Sequence, residues 1–272
     1  MTADLAPSTI RLDEGLFARI ASRVHADTGI VLKPHKRQMV ASRLARRLKA
    51  RGIGDPGTYL DLLERPEEGN ERIEFVNAIT TNLTSFFREA HHFDDLASVV
   101  LPQLSGRIRI WSAGCSTGEE VWSTLITIAR AAGGRLPPDL LVLATDIDTR
   151  VLSIAKAARY PTERLASMPT EATRWLRRDG GSVTVDATLR DRVRFRRLNL
   201  LDPWPMAGHF DVIFCRNVLI YFSAETKAGL IDRFAAQLKP GGTLYLGHSE
   251  SLLREHALLA SAGRTIYRRR TA

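Results

Sequence analysis

Apolar positions recur at helical spacing through the first part of the chain. Leu16, Phe17, Ile20 and Val24 share one face of a helix that Asp13 caps and Gly29 stops. Pro34 opens a second helix, in which Val40, Leu44 and Leu48 recur every fourth position up to Gly52. Two shorter helices follow, Tyr59–Glu64 and Glu71–Thr80, with the loop Arg65–Asn70 between them. The stretch Thr80–Phe93 is too polar at Thr81, Asn82 and Thr84 for a buried helix. Phe86 and Phe87 anchor it, and Arg88 and Glu89 begin a helix running to about Val100.

From Ile108 the pattern changes to short buried strands alternating with helices. Ile108–Trp111 reads as a strand, Gly114 and Gly118 bracket a tight turn, and Glu119 starts a helix carrying Val121, Trp122, Leu125 and Ile128. Leu140–Asp148 is a second strand, with Asp148 capping the helix after it. Arg194–Leu200, Phe210–Phe222 and Leu238–Ser251 supply three more, and Thr265–Arg268 closes a terminal hairpin. This order predicts an α/β fold: a Rossmann-like domain over 91–272, preceded by an all-helical domain with its connecting segment over 1–90.

Between Tyr160 and Arg192 the chain is longer than one crossover helix requires. A helix over Glu171–Arg178, the Gly180-Gly181 turn and the alternation Ser182–Val185 predict a small antiparallel β-subdomain inserted at about 179–197. Its edge suits strand addition by a peptide, and a decorative insert explains the pattern equally well.

Composition adds three points. No apolar run approaches the ~20 residues of a membrane span, and MTADLAPSTIRLDE lacks the basic-then-apolar pattern of a leader. With only Cys115 and Cys215, the expectation is a reduced, cytoplasmic, monomeric protein without membrane insertion, its thiols buried rather than bridged. The net charge of +9 points to an acidic partner. Eight Lys or Arg and no acid lie between Lys33 and Arg51. Lys36, Arg43, Arg46 and Arg47 are the candidate docking residues, against the plainer reading of a solvated helix face. Aromatic residues are absent from that run, which weakens RNA stacking.

The turn chemistry selects the cofactor. A dinucleotide site expects G-x-G-x-x-G, but Cys115, Ser116 and Thr117 fill the centre and the third glycine is missing. Glu119 and Glu120 would repel phosphate and suit a cation. S-adenosylmethionine, with a sulfonium and an ammonium and no phosphate, fits. Asp146, ending the second strand, is placed for the ribose hydroxyls. Asn199-Leu200 end the third strand, where an adenine would lie. Asp202-Pro203-Trp204-Pro205 resembles an amino-methylating signature but precedes the fourth strand and reads as a turn. His91-His92 lacks partners at metal spacing, so no metal is expected.

Five stretches, TTNLTSFFREAHHF, SAGCSTGEE, ATDIDTRVL, FDVIFCRNVLIYF and LKPGGTLYLGHSES, together resemble the chemotaxis receptor methyltransferases of the CheR type. The resemblance also takes in GIVLKPHKRQMVASRLARRL. It implies a helical domain on a Rossmann-like methyltransferase domain with a small β-subdomain. It also implies methyl transfer from S-adenosylmethionine, giving S-adenosylhomocysteine, to glutamates on chemoreceptor cytoplasmic helices.

By position it places Asn82, Thr84 and Arg88 over the cofactor, Glu120 at its amino group and Asp146 at its ribose. Asn199, Leu200, Asn217 and Val218 would line adenine and methionine. Because an acceptor carboxylate needs only alignment, Arg88 and Tyr221 are the candidate positioning residues, against plain core packing of the Tyr221 ring. Some relatives capture a receptor C-terminal tail on the β-subdomain. Two departures from the family pattern, Gly114-Cys115 and Val121-Trp122, bear on loop packing. The rivals are a nucleic-acid methyltransferase, which the charge favours, and a cofactor-sensing module without turnover. Intact Asn82, Arg88, Asp146 and Asn217 argue against loss of activity.

Overall fold

A computed structural model describes residues 10–252 and 255–271; residues 1–9, on which part of the leader reading rests, lie outside them. The described chain forms two compact units. The first runs through Thr81 and includes Tyr221–Ser223; the second holds Asn82–Ile220 and the remainder from Ala224.

The first unit is helical. In α1 (Glu14–Thr28) the Asp13 carboxylate accepts the Leu16 N–H at 2.7 Å, and Gly29 ends the helix in the left-handed region. A 3-10 turn, Pro34–Lys36, leads into α2 (Arg37–Arg51), followed by α3 (Pro56–Leu63) and α4 (Gly69–Ile79). Phe17, Ile20, Val40, Leu44, Tyr59 and Phe75 fill its core. Polar groups are buried with them. Glu71 is 3% exposed, accepts the Tyr59 hydroxyl at 2.6 Å and pairs with Arg47 at 2.5 Å.

The second unit begins with α5 (His91–Asp95), which continues through a π-helical turn at Leu96–Val100. The helix expected from Arg88 starts later, because Phe87 and Glu89 both adopt left-handed backbone (φ 52° and 57°) and break its first turn. Then come β1 (Ile108–Ala113), α6 (Glu119–Ala131), β2 (Leu140–Asp146), α7 (Thr149–Ala157) and β3 (Arg159–Pro161). Next are β4 (Leu176–Asp179), β5 (Ser182–Val185), α8 (Ala187–Arg190) and β6 (Val193–Arg197). The chain closes with β7 (Phe210–Cys215), α9 (Ala224–Gln237), β8 (Leu238–Leu246), β9 (Leu259–Gly263) and β10 (Ile266–Arg269).

The large sheet has the order β6-β2-β1-β7-β8-β10-β9, parallel except where β10 meets β8 and β9. Because the chain winds outward from β1 through β2 to β6, then returns to the other side of β1 as β7, the winding reverses between β1 and β7. Ligands of open α/β sheets bind in the crevice at the strand ends where that reversal falls.

The small antiparallel sheet, β3-β5-β4, lies earlier than the predicted 179–197. Val193–Arg197 is instead the edge of the large sheet, paired with β2. Three-residue β3, one of them Pro161, is too short to show alternation, so the sequence hides where the subdomain begins. The helix expected over Glu171–Arg178 shrinks to a 3-10 turn, Thr170–Trp175, because Leu176–Asp179 pairs with β5.

Candidate active site

The loops leaving β1, β2, β6 and β7 converge with the segment Asn82–Glu89. Gly114, leaving β1, has φ 82°, and a Cβ there would sit 2.4 Å from Val218 Cγ2. Gly118 has φ 96°, and its Cβ would meet that of Ala155 at 2.8 Å. Both glycines make room for protein, the β7 loop and α7, where the sequence suggested room for a nucleotide. Cys115 and Cys215 at these strand ends are buried free thiols, pushed upward in pKa by burial.

The two glutamates after Gly118 separate. Glu119 is fully buried and accepts the Thr117 hydroxyl at 2.6 Å, so it serves the fold. The Glu120 carboxylate, 12% exposed, accepts the Ser112 hydroxyl at 2.7 Å and lies 3.2 Å from Arg216. Burial pushes its pKa up, against the pull of Arg216 and Ser112.

Asp146 ends β2 with its carboxylate accepting the Ser116 N–H at 2.8 Å and the Asp148 N–H at 3.0 Å. Burial outweighs those bonds and raises it to about 6. Its backbone carbonyl receives the Leu198 N–H at 3.0 Å, which draws Asn199 and Leu200 to the end of β2. Asp148 caps α7 as expected and also accepts Asn82 Nδ2 at 2.7 Å. Trp204 packs edge-on against Trp111 at 4.7 Å under the Arg233 guanidinium, so Asp202–Pro205 is a packed turn.

The segment over the site is tied down along its length. The Asn82 carbonyl receives Ser116 Oγ at 3.1 Å, Leu83 O receives the Arg88 guanidinium at 2.9 Å, and Thr84 O receives Arg164 at 3.3 Å. Phe87 N–H donates to Ser123 Oγ at 2.9 Å. His92, fully buried, pairs with Thr265 Oγ1 at 3.0 Å.

Three charged residues that sequence reasoning leaves without a role organise this region. Arg216 is 2% exposed at its side chain and reaches Glu89, Glu120 and the Arg88 carbonyl. Burial would raise the Glu89 carboxyl, yet Arg216 and His248 outweigh it and hold it at about 2. Glu250, 4% exposed, accepts the N–H groups of Asn217 and Gly247 at 2.7 Å each and of Ile220 at 3.0 Å. The legible signal is an arginine directly after the apolar run Val212–Cys215, since a buried cation needs an acid. Phe87, Glu89, Ser116 and Asn217, all around these groups, are non-glycine residues with positive φ, as strained functional sites often show.

A family model described as CheR methyltransferase, SAM binding domain, matches residues 82–267, and one described as CheR methyltransferase, all-alpha domain, matches 16–80. The chain belongs to the CheR methyltransferase family. Chemotaxis protein methyltransferase 2 of Pseudomonas aeruginosa is 44% identical over 259 residues, 92% of this chain and 91% of that protein. The chemotaxis protein methyltransferase of Salmonella typhimurium is 43% identical over 95% of this chain and 91% of its own length. That of Escherichia coli is 42% identical over 95% and 92%. This CheR-family chain is an S-adenosylmethionine-dependent methyltransferase. The donor set fits that cofactor, because the carboxylates of Asp146, at the end of β2, and Glu120, in the first turn of α6, stand where a phosphate-binding glycine nest would otherwise be.

Two of the four expected docking cations have structural partners in the helical unit. Arg47 is locked to Glu71, and the Arg43 guanidinium donates at 2.6 Å to each of the carbonyls of Ile79 and Thr80, capping α4. Both therefore hold the helices together rather than stand free for docking. Lys36 and Arg46 are exposed. Tyr221 ends a 3-10 turn, Leu219–Tyr221, and its carbonyl accepts the Val31 N–H at 2.8 Å within the first unit.

Proposed function

We propose that the enzyme methylates glutamate side-chain carboxylates on the cytoplasmic helices of chemoreceptors, forming methyl esters. The supporting observation is the charge of the site: carboxylates at Glu120 and Asp146 suit a cationic cofactor, while the chain as a whole carries +9 for an acidic acceptor. When bound, S-adenosylmethionine supplies an activated methyl group on a sulfonium.

Each residue then has a defined task. Glu120 receives the cofactor ammonium and Asp146 accepts the ribose hydroxyls. Asn199 and Leu200 border the adenine, and Asn217 and Val218 the methionine portion. Asn82 and Thr84 close over the cofactor, with Arg88 and Tyr221 aligning the acceptor. An acceptor glutamate, ordinarily titrating at about 4.3, is already the nucleophile at neutral pH, so no general base is required. Alignment and exclusion of water remain as the work of the protein.

Lys36 and Arg46 are the docking cations for the glutamate-rich helix. The outer strands β3 and β4 of the small sheet offer edges for a receptor's C-terminal tail. The enzyme acts in the cytoplasm on membrane-bound receptors; among the described residues, no helix is long and apolar enough to cross a membrane.

Incubation with methyl-labelled S-adenosylmethionine and receptor-containing membranes tests the reading. Label on a receptor-sized band that is released by mild base supports a glutamyl ester. Label that resists base, or that enters RNA instead, refutes it.

A further inference from the structure

Only part of the net charge of +9 can act from α2, where Arg43, Arg47 and Arg51 are bonded within the helical unit. Unpaired positive charge collects instead along β6, at the edge of the large sheet. Arg190, Arg192, Arg194, Arg196 and Arg197 fall within eight residues that hold one acid, Asp191. Among the described residues none of the five forms an ion pair, and Arg194, Arg196 and Arg197 are exposed.

The backbone holds three of these guanidinium groups in place. Each donates through Nη1: Arg192 to Pro138 O at 2.6 Å, Arg194 to Val193 O at 3.0 Å, and Arg196 to Phe195 O at 2.8 Å. A guanidinium carries five N–H donors, so most of each fork remains for an anion, with much of its ordering already done. The same bonds decide what kind of partner fits. The Val142 N–H donates to Arg192 O and the Leu198 N–H to Asp146 O, so β6 meets β2 through its even-numbered residues. Val193 O and Phe195 O therefore face outward, and the arginines cover the acceptors that an added strand would need. The edge is closed to a strand and open to carboxylates.

Val193 is buried and Phe195 packs on Trp122 at 5.8 Å, so alternation sends Arg194 and Arg196 to the opposite face. Like positions on a strand repeat at about 6.6 Å. Carboxylates at i and i+4 of an α-helix repeat at about 6 Å, a close match.

We propose that the β6 edge docks an acidic helix of the receptor's cytoplasmic region, one carrying carboxylates at i and i+4. This rests on the reading that receptor helices are the acceptors. The row leads directly into Leu198, Asn199 and Leu200, so the docked helix flanks the one presenting its glutamate at the site. With Phe195 turned to the core, the row offers no aromatic face for stacking bases, which sets nucleic acid aside.

The test is binding of a purified receptor cytoplasmic fragment to the full-length protein at low and high salt, with steady-state methylation of the same fragment. The variant is Arg194→Glu with Arg196→Glu, its fold checked by circular dichroism. At low salt its fragment Kd and KM should rise at least about tenfold, the scale of two exposed ion pairs, while its Kd for S-adenosylhomocysteine stays within twofold of wild type. High salt should narrow the gap between variant and wild type. Arg194→Lys with Arg196→Lys keeps the charge and should retain most of the affinity.

A fragment Kd for the folded glutamate variant within twofold of wild type at low salt overturns the proposal. So does a variant that loses binding only to RNA or to phosphatidylglycerol vesicles. Should the glutamate variant not fold, Arg194→Gln with Arg196→Gln decides by the same comparison. Wild-type protein that neither binds nor methylates the fragment overturns the underlying receptor reading, a result distinct from a variant that binds as well as wild type.

Discussion

Replacing Glu250 with glutamine changes one atom type and almost no volume, and the geometry predicts how it acts. Oε2 accepts two N–H groups, from Asn217 and Gly247 at 2.7 Å each, and Oε1 accepts one, from Ile220 at 3.0 Å. A glutamine that keeps its oxygen in the Oε2 place retains two bonds but loses their charge assistance, about 1 kcal/mol each. Its amide nitrogen then faces the Ile220 N–H, donor against donor, leaving a buried donor unsatisfied at a further cost of about 1–3 kcal/mol. The sum is about 3–5 kcal/mol, localised on the loop 216–220. Space allows no simple escape, because a Cβ on Gly247 would already lie 2.5 Å from Asn217 Nδ2, so the three groups are in close contact.

Since that loop carries Asn217 and Val218, the cost appears as local opening and weaker cofactor binding before it appears as global unfolding. Amide hydrogen exchange at Asn217, Gly247 and Ile220 should accelerate by two orders of magnitude or more, roughly the factor that 3 kcal/mol corresponds to. Affinity for S-adenosylhomocysteine should fall in parallel. Unchanged exchange at these amides in Glu250→Gln, with Kd within twofold of wild type, refutes the reasoning that the carboxylate holds the loop.

Two further outcomes follow from the same geometry. Arg47→Ala leaves Glu71, 3% exposed, with only the Tyr59 hydroxyl and Arg51 at 3.5 Å, and should destabilise the helical unit by about 2–3 kcal/mol in urea titration, whereas Lys36→Glu with Arg46→Glu should leave the midpoint unmoved and slow receptor methylation; the reverse pattern would restore Arg47 as a docking residue. Asp146 is raised to about 6 by burial, so lowering the pH through 6 neutralises it while Glu89, held at about 2, stays charged. A neutral carboxyl accepts ribose hydroxyls more weakly, so S-adenosylhomocysteine affinity should be full above pH 7 and fall by up to about tenfold at pH 5, with Glu120, also raised, adding to the same trend. In Asp146→Asn affinity should be lower and the slope shallower; superimposable wild-type isotherms at pH 5 and 7.5 would rule this out.

The helices, the parallel strands and the cofactor class are legible in the sequence because they depend on local pattern. The spacing of Val40, Leu44 and Leu48 puts those residues in the core wherever the partner helices come from, and all three are buried. The caps at Asp13 and Asp148 likewise involve groups within a few residues. At Arg47 the basic run misleads for the opposite reason. A run of bases without an acid looks unpaired only while Glu71 and Glu74, contributed by another helix, are out of view. The start of the subdomain is hidden because β3 is three residues long and takes its identity from pairing with β5, not from its own sequence.

The electrostatic reading of the glycine turn shows the same division at finer grain. Adjacency in sequence makes Glu119 and Glu120 look equivalent, an anionic pair fit for a cation. On a helix, neighbours point about 100° apart, so one turns into the core and the other toward Arg216. The surroundings of the Glu120 carboxylate are therefore decided by a residue distant in the chain: Arg216, 3.2 Å away, comes from the end of β7. Choosing S-adenosylmethionine over a dinucleotide requires only the absence of a phosphate nest, a local fact. Knowing which glutamate turns into the core and which one meets Arg216 requires β7 to return beside β1.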